Sequence, residues 1–431
     1  MQKTIFLLCC LMTTSFLWGQ PFVTVRGAQF YIAEQPYHFM GANFWYGMHL
    51  ASKGPGGDRE RLLVELDSLQ AMGITNLRIM GGGEGPDTEP WRMRPTLMPS
   101  PGVYNEDLLD GLDFLLSEMG KRGLKAVVCL GNFWPWSGGF AQYYAWSKDK
   151  TIPYPPPAAG GNWLGYMLFT SRFYKDKISR QAYWDHLRFL INRVNSYTNR
   201  PYREDPTIMA WQLANEPRGM TRPRRYRRWI QQTAKLIKSL DANHLVTIGS
   251  EGNTSTPTGN HFAKDHGYDD IDYTTIHIWV QNWGWYQPDD PEKTYKTALQ
   301  KARDYLAKHL EMARELNKPL VLEEFGISRD ADDHAPTAPT KWRDRYYEDL
   351  FKTIYQYTQQ LGSPMAGCNF WAWAGKGRPR APKAIWQPGD DWIGDPPHEH
   401  QGWYSIYDTD ATTIQVIRKY AKLLNESRLE Y

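Results

Sequence analysis

The stretch Trp211-Gln212-Leu213-Ala214-Asn215-Glu216-Pro217-Arg218 decides how the rest of the chain is interpreted. The residues from Thr207 to Trp211 are mostly apolar, which predicts a short buried strand. Pro217 has no N–H group to donate to a sheet and therefore ends that strand. The strand thus delivers an amide, Asn215, and a carboxylate, Glu216, to its C-terminal end.

A second stretch of the same kind runs from Lys318 to Gly326 and contains Glu323 and Glu324. Two acids at the ends of separate buried strands suit glycoside hydrolysis, in which one protonates the leaving oxygen and the other attacks the sugar. Either acid alone would be interpreted as an ordinary strand-end or ion-pairing residue. Because adjacent strand residues point to opposite sides, we expect one of Glu323 and Glu324 to face the helix layer.

The composition suits one large domain that binds carbohydrate. The 431 residues are 41% hydrophobic and include 19 tryptophans and 26 tyrosines, whose faces can stack on sugar rings. The net charge of +3 gives no electrostatic footprint for nucleic acid. The exception is the basic run from Arg222 to Arg228. We interpret it as a solvated helix start, with contact to an anionic cell surface as the alternative.

Residues 1–20 have the pattern of a secretory signal peptide, with Lys3 before a short apolar run that could not comfortably span a bilayer. We therefore expect a secreted or periplasmic protein whose mature part, residues 21–431, is a single domain without a membrane span and monomeric. Cys129 and Cys368 lie in apolar strand patterns of the mature part. This predicts buried free thiols rather than a disulfide framework.

Strands and helices alternate along the mature chain. Strands are predicted to begin at residues 37, 75, 124, 207, 244, 273, 320 and 367, separated by helix-length segments except after residue 249, where only a short crossover fits. This pattern predicts an α/β fold, a (β/α)8 TIM barrel, with a small N-terminal β-hairpin over residues 22–32 and long βα loops. The longest predicted loop, residues 131–179, is rich in Trp, Tyr, Gly and Pro.

The C-terminal ends of the eight strands share one face of such a barrel, where binding residues collect. The residues predicted at that face combine acids, amides, an arginine, a histidine and several tryptophans: Asn43, Trp45, Arg78, Asn132, Trp134, Asn215, Glu216, His277, Trp279, Glu324, Trp371 and Trp373. Trp371 and Trp373 alternate, so only one can face the barrel mouth, and we expect that to be Trp371.

The chain resembles glycoside hydrolase family 5, in particular its endo-β-1,4-mannanase branch. The family barrel carries Asn-Glu-Pro after its fourth strand and Glu-Phe-Gly after its seventh, as this sequence does. The stretches that carry the resemblance are Gly41-Ala42-Asn43-Phe44-Trp45-Tyr46-Gly47, Asn76-Leu77-Arg78, Asn215-Glu216-Pro217-Arg218, Leu322-Glu323-Glu324-Phe325-Gly326 and Phe370-Trp371-Ala372-Trp373.

The resemblance implies catalytic roles. Glu216 would be the acid/base, and Glu324, directly before the aromatic-Gly pair, would be the nucleophile. Arg78 would lie beneath the nucleophile and keep it ionised, although a core ion pair with a helix acid is the alternative. His277 would lie near the acid/base, or it could be an ordinary buried histidine.

The resemblance also implies binding roles. Asn215 would hold the hydroxyl next to the reacting carbon, Trp371 would lie under the sugar, and Arg218 would contact the leaving-group side. The substrate would occupy an open cleft whose further predicted lining and binding residues are Trp45, Asn132, Trp134, Trp279 and Trp283.

The implied activity is retaining endo-hydrolysis of β-1,4-mannosidic linkages in mannan, galactomannan or glucomannan, without a metal or other cofactor. An endo-β-1,4-glucanase of the same family is the nearest alternative, and a non-catalytic glycan-capture protein is a remote one. His398-Glu399-His400 gives only weak support for an ion site, since no third ligand is evident.

Overall fold

The computed structural model describes residues 21–254 and 256–426, so the expected signal peptide lies outside the described residues. The strands in these ranges are β1 (Val23–Arg26), β2 (Gln29–Ile32), β3 (Gln35–Pro36), β4 (Phe39–Asn43), β5 (Asn76–Met80), β6 (Lys125–Cys129), β7 (Ile208–Gln212), β8 (Leu245–Thr247), β9 (Thr274–Ile278), β10 (Leu320–Phe325), β11 (Met365–Phe370), β12 (Trp373–Gly375) and β13 (Ile406–Tyr407).

The helices in these ranges are α1 (Gly47–Leu50), α2 (Arg59–Ala71), α3 (Glu106–Lys121), α4 (Gly139–Lys148), α5 (Trp163–Thr170), α6 (Lys177–Ile191), α7 (Pro223–Leu240), α8 (Phe262–His266), α9 (Pro291–Glu315), α10 (Lys341–Thr358) and α11 (Ala411–Glu426). Short 3-10 turns cover Pro135–Ser137, Ser171–Lys175, Tyr202–Glu204 and Asp330–Asp332. Across the described ranges, no helix has both the length and the apolar character that crossing a membrane requires.

Strands β4 to β11 form one parallel sheet in the order β8-β7-β6-β5-β4-β11-β10-β9. All eight predicted strands are present, each starting within two residues of its predicted position, and helices cover the outside of the sheet. The crossover after β8 contains only the five-residue α8, as expected for that short segment. The predicted TIM-barrel fold is confirmed, with every strand directed toward the same face.

Side chains complete the barrel between β8 and β9, where the order of paired strands ends. The Thr275 hydroxyl accepts a hydrogen bond from the Ser250 N–H at 2.8 Å and donates to the Ser250 carbonyl at 3.1 Å. The Thr247 hydroxyl donates to the Tyr273 carbonyl at 2.9 Å. These bonds satisfy buried backbone groups that strand pairing satisfies elsewhere. Two backbone hydrogen bonds cross the same seam, from the Asp272 N–H to the Val246 carbonyl at 2.8 Å and from the His277 N–H to the Glu251 carbonyl at 3.1 Å. The two threonine hydroxyls therefore supplement a small number of backbone bonds.

The N-terminal hairpin is present, with β3 added as a third strand, and it closes the base of the barrel. Val23 and Phe30 of the hairpin pack in one buried cluster with residues from the lower ends of the barrel strands, including Phe39, Met209 and Val321. Because the base is filled with apolar side chains, ligands can reach the interior only from the C-terminal face.

The region 131–179, predicted as one long loop, contains α4 and α5, so the loop prediction is wrong for these parts. Local capping explains α5, because the Asn162 side chain accepts a hydrogen bond from the Gly165 N–H at 2.8 Å. In the same way, Asp176 accepts from the Ser179 N–H at 2.9 Å and starts α6 at Lys177, inside the predicted loop. Because Gly and Pro are abundant in this region, the sequence favours a loop, and the capping residues of the two helices were not recognised.

Replacing Thr275 with valine tests the seam. Thr275→Val keeps the side-chain shape but leaves the buried Ser250 N–H without its acceptor, so we expect the free energy of unfolding to fall by about 1–3 kcal/mol. The measurement is urea denaturation followed by tryptophan fluorescence. Thr170→Val is the matched control, because the buried Thr170 hydroxyl only bonds back to the Tyr166 carbonyl of its own helix. Equal losses in the two variants would contradict the role of the seam.

Candidate active site

Two buried glutamates meet at the mouth of the barrel. Glu216 follows β7 and Glu324 lies near the end of β10, and their side chains are 8% and 4% exposed. An oxygen of each carboxylate lies within 4.8 Å of the other and of a ring nitrogen of His277. The sequence-predicted pair is therefore brought together, with one histidine between the two acids.

The backbone at Glu216 is in the left-handed region, with φ of +46°. Such a conformation costs a non-glycine residue about 1–3 kcal/mol and persists only where neighbouring structure enforces it. Here the Glu216 N–H donates to the Gly249 carbonyl at 2.9 Å. Gly249 itself has φ of +85°, and a Cβ at this position would lie 2.1 Å from the Ala214 carbonyl oxygen. A glycine is thus required to bring β8 close enough to hold the Glu216 backbone.

Arg78 lies at the centre of the site and is buried among side chains from four strands. Its Nη1 donates to Glu324 Oε1 at 2.5 Å and to Asn43 Oδ1 at 3.0 Å. Its Nη2 donates to Asn215 Oδ1 at 2.7 Å, and its Nε to Gln212 Oε1 at 2.8 Å. Although burial opposes its charge, Glu324 and Glu323 raise the pKa of Arg78 further. The guanidinium therefore remains charged beneath Glu324.

Glu323 also points into the barrel, so the expectation that it faces the helix layer is wrong. Its Oε2 accepts a hydrogen bond from Gln212 Nε2 at 2.6 Å and lies 3.8 Å from Arg78 Nε. The cause is a bulge in the pairing of β10 with β9, where Leu322 pairs with Ile276 and Glu324 with the next residue, leaving Glu323 without a partner. A bulge interrupts the alternation of side chains, so both acids reach the interior.

His277 connects the two catalytic candidates. Its Nδ1 lies 2.6 Å from Glu216 Oε1 and 3.2 Å from Glu324 Oε2. Burial favours the neutral ring, but the Glu324 charge and the hydrogen bond with Glu216 raise the pKa of His277 well above its ordinary value. Burial likewise opposes ionisation of Glu216, yet His277 and then Arg218 and Trp134 lower the Glu216 pKa. Both shifts favour a protonated His277 ring beside an ionised Glu216 carboxylate.

A second group of side chains holds Glu216 from the other side. Trp134 Nε1 donates to Glu216 Oε2 at 2.6 Å, and the Arg218 guanidinium lies over the Trp134 ring at 4.7 Å from its centroid. Arg218 is fixed by two hydrogen bonds to Glu251, of 2.7 and 2.8 Å. Glu251 was missed in the sequence because it follows β8 in a stretch with no periodic pattern. An acid four residues after the end of β8 was the signal available in the sequence.

A cavity of about 600 Å3 opens above the two glutamates. Eight of the residues predicted from the sequence line it: Trp134, Asn215, Glu216, Arg218, Trp279, Trp283, Glu324 and Trp371. Arg78, His277 and Asn132 lie beneath this lining, where Asn132 Oδ1 accepts a hydrogen bond from Asn215 Nδ2 at 3.2 Å. These three residues do not line the cavity, so they can affect a ligand only by positioning the residues that do.

The two remaining tryptophans of the predicted face lie away from the cavity. Trp45 is 3% exposed, packs 5.5 Å from the Trp136 ring and donates to the Gly394 carbonyl. Trp136, not Trp45, reaches the cavity. Trp373 is buried and donates from Nε1 to Glu65 of α2 at 2.8 Å, while Trp371 lines the cavity. The structure therefore separates Trp45 from the other predicted binding residues.

Comparison with known proteins agrees with this arrangement. The family model described as GH family 5 beta-mannosidase-like matches residues 20–428. The chain belongs to glycoside hydrolase family 5. As a family 5 member it is a glycoside hydrolase, and the predicted resemblance is confirmed.

The similar proteins act on mannan or are named mannosidases. The chain is 31% identical to mannan endo-1,4-beta-mannosidase 5 of Solanum lycopersicum over 374 residues, which cover 83% of this chain and 82% of that protein. It is 41% identical to the glycoside hydrolase family 5 mannosidase of Rhizomucor miehei, with a TM-score of 0.86 and coverage of 94% of this chain and 97% of that one. A mutant of the R. miehei enzyme has been crystallised with mannosyl-fructose.

The segment after β11 supplies part of the cavity wall that the sequence analysis did not assign residue by residue. Its shape is set by Asp395, which accepts hydrogen bonds from the Gly402 and Tyr404 N–H groups and from the Ser405 hydroxyl. The cavity-lining residues of this segment are Ile385, Pro396, His398, Glu399, His400, Trp403 and Tyr404. The length of this polar loop was the only sign of such a wall in the sequence.

Within the described ranges, Glu216, His277 and Glu324 are the one group of acids and histidines spaced like metal ligands. Their atoms are already paired, with Arg78 on Glu324 and His277 on Glu216, so the geometry suits proton transfer. The weak candidate at residues 398–400 does not form such a group, because the His400 Nδ1 bonds to the Lys383 carbonyl instead.

Replacing Trp134 with phenylalanine tests the control of the Glu216 proton. The Trp134 N–H favours the charged carboxylate, so its loss should raise the pKa of Glu216. Because the reaction needs the proton shared by Glu216 and His277, the basic limb of the pH profile of kcat/KM should move up by about one pH unit.

The matched control is Trp283→Phe. Trp283 also lines the cavity, but its ring contacts are with Trp285 and Tyr305, away from Glu216. This variant should change KM without moving the basic limb. A basic limb that stays in place in Trp134→Phe, or moves equally in both variants, would show that the tryptophan N–H does not control this proton.

Proposed function

We propose that this chain hydrolyses β-1,4-mannosidic bonds with retention of configuration, using Glu216 as acid/base and Glu324 as nucleophile. The observation that carries the proposal is the separation of the two carboxylates, whose oxygens approach within 4.8 Å. Retaining enzymes place their carboxyl groups about 5–5.5 Å apart, whereas inverting enzymes leave room for a water molecule at about 6.5–9.5 Å. The close approach of these oxygens supports the retaining arrangement.

The charges around Glu324 suit a nucleophile. Arg78 donates to one oxygen of Glu324, and His277 lies 3.2 Å from the other. Both contacts place hydrogen-bond donors beside the carboxylate and hold it in one orientation beneath the sugar. Attack of Glu324 on the anomeric carbon forms a covalent glycosyl ester and breaks the bond to the leaving oxygen. Formation of the ester removes the negative charge of Glu324, which Arg78 and His277 balance before the attack.

The proton for the leaving oxygen comes from the pair formed by Glu216 and His277. Before the sugar binds, the proton favours His277. A bound sugar removes water from around the Glu216 carboxylate, and this disfavours the charged form of Glu216. The proton then moves from His277 to Glu216 across their 2.6 Å hydrogen bond. Glu216 then protonates the leaving oxygen. As a carboxylate it next removes a proton from water, which hydrolyses the ester.

The proposed substrate is mannan. The names of the similar proteins support mannan over cellulose, and the aromatic lining of Trp134, Trp279, Trp283 and Trp371 suits sugar rings. Asn215, fixed between Arg78 and Asn132, presents its amide group beside both acids, where a hydroxyl next to the reacting carbon would lie. We also propose that residues 1–20 direct export, which would bring the enzyme to an extracellular polysaccharide.

Isosteric variants test the two roles. Glu324→Gln should abolish hydrolysis of both linear mannan and an aryl β-mannoside. In Glu216→Gln, kcat on mannan should fall by about 10²–10⁴-fold. Formation of the glycosyl ester from an aryl mannoside with a good leaving group should stay fast, because such a leaving group needs no protonation. The first product of the parent enzyme, observed by NMR, should have the β configuration.

Carboxymethyl-cellulose is the control substrate for the choice of sugar. Tight binding of mannotriose by Glu324→Gln and Glu216→Gln is the control that both variants are folded. An α-configured first product would contradict retention. Cleavage of cellulose with mannan untouched would instead favour the glucanase alternative. Unchanged mannan hydrolysis in Glu216→Gln would remove this residue from the reaction.

A second candidate is release of single mannose units from chain ends, which is favoured by a contact across the mouth of the site. Trp163 at the start of α5 lies 5.6 Å from Trp134 and 6.0 Å from His398, measured between ring centroids. Two loops, one before β7 and one after β11, therefore meet over the cavity. The expected open cleft is bridged on this side.

The bridged side ends in groups that suit the hydroxyls of a terminal sugar. Glu399 Oε2 and His398 Nδ1 are buried and have no hydrogen-bond partner among the described residues. Burial, together with the charges of Asp395, Glu324 and Glu216, raises the pKa of Glu399 well above its ordinary value, and burial lowers the pKa of His398 to about 3. Both shifts favour the neutral forms of these side chains, and neutral hydrogen-bonding groups cost less to bury with an uncharged sugar than ions do.

Mannohexaose digestion separates the two candidates. Internal cleavage should give mannobiose and mannotriose from the start, whereas end-wise release should give mannose and mannopentaose. In the second case Glu399→Ala should increase the share of longer products, since it removes the wall. Asp332→Ala is a comparison on another loop, outside the cavity lining. An identical product pattern in the parent and Glu399→Ala would show that Glu399 does not select chain ends.

A further inference from the structure

Six arginines lie together on the outer surface beside α7, in the basic run and in two neighbouring segments: Arg172, Arg180, Arg222, Arg224, Arg225 and Arg228. Helix α7 buries Tyr226, Trp229 and Ile230 against the barrel. Arg224, Arg225 and Arg228 therefore point outward, on neighbouring positions of the opposite face, and all three are exposed. We call these six residues the arginine face.

Contacts between the elements bring the six side chains close. Arg180 of α6 donates to Gln232 of α7 at 3.2 Å. Arg222 donates from Nη1 to Ser171, the residue before Arg172, at 2.9 Å. Burial and the charges of Arg225 and Arg228 lower the pKa of Arg180, and burial and the charge of Arg172 lower the pKa of Arg222. The arginines therefore repel one another.

The arginine face has no ion-paired acid in the described part of the chain, and the charge of Asp176 acts on Arg180 only from beyond ion-pair distance. Among the described residues, no carboxylate lies within ion-pair distance of any of the six, although most other buried or half-buried arginines have such a partner. Arg227, in the same run, pairs with Asp265 at 2.8 Å and is not part of the face. The whole chain carries only +3, so this concentration of positive charge is local. A local field of this kind attracts an anionic partner.

The arginine face begins close to the active site. Met167 lines the cavity and lies 3.3 Å from Arg218 Nη1, while Ser171, one helical turn later, contacts Arg222. One helical turn corresponds to about 5.4 Å along the axis. A polymer on the arginine face would therefore run next to the chain that occupies the cavity, on the side of Arg218.

We propose that the arginine face binds a polysaccharide that carries carboxylate groups, lying beside the neutral mannan chain. Guanidinium groups hold carboxylates through paired hydrogen bonds, which suits a polymer with repeated acidic sugars. An anionic membrane fits less well, because helices that lie on membranes also expose large apolar side chains, and α7 exposes none. This proposal does not depend on the identity of the sugar cleaved in the active site.

Binding of polygalacturonate provides the test. The mature protein should bind it at low ionic strength, and binding should weaken at physiological ionic strength. The variant Arg224→Gln/Arg225→Gln/Arg228→Gln should bind about tenfold more weakly, because three exposed charge pairs are lost. Hydrolysis of mannohexaose, a short neutral substrate, should stay unchanged in this variant, since none of the three residues lines the cavity.

The control variant Lys296→Gln/Lys308→Gln/Lys352→Gln removes the same charge from exposed positions of α9 and α10 and should bind as the parent does. Equal weakening in both triple variants would mean attraction by net charge alone and would overturn the proposal. So would absence of polygalacturonate binding by the parent, or binding to phosphatidylglycerol vesicles in its place. Loss of mannohexaose hydrolysis in the parent would instead concern the proposed function and leave this inference intact.

Discussion

The guanidinium of Arg78 is the constraint on which the active site depends. It is hydrogen-bonded to Asn43 at the end of β4, to Gln212 and Asn215 at the end of β7 and just after it, and to Glu324 in β10. A charge buried in the barrel is tolerated only when it is paired and hydrogen-bonded, and removing one partner of such a network typically costs about 3–5 kcal/mol. The strand ends are therefore held in one relative position by the same group that orients the nucleophile.

The buried charges of the site suit the chemistry proposed for it. Three carboxylates, of Glu216, Glu323 and Glu324, face two cations, Arg78 and His277, which leaves one formal negative charge near the cavity floor. The transition state of glycoside hydrolysis carries positive charge on the sugar. Fixed charges that are oriented before the substrate arrives stabilise such a state without reorganisation. The bulge at Glu323 contributes to this balance by turning a third acid inward.

The sequence was sufficient for the barrel and its catalytic pair because both depend on local signals. Apolar runs with turn residues mark the strands, and Glu216 follows directly from where one of them ends. The choice of Glu324 over Glu323 came from the resemblance to glycoside hydrolase family 5, which places the nucleophile directly before the aromatic-Gly pair. Contacts between distant segments decided the rest. The direction of Glu323 depends on its register with β9, and Trp45 lies away from the cavity because its indole bonds to Gly394, far along the chain. Glu251 acquires its role only through Arg218, which no local pattern shows.

The contact between Trp163 and His398 lies on loops, whereas the acids and Arg78 lie on strand ends. The proposed catalytic groups and the wall proposed to select chain ends are therefore physically separate. A change in either loop can alter which chains fit without disturbing the charges that cleave them. Under the proposed function, changes confined to these two segments would alter the preferred substrate length and leave the reaction centre as it is.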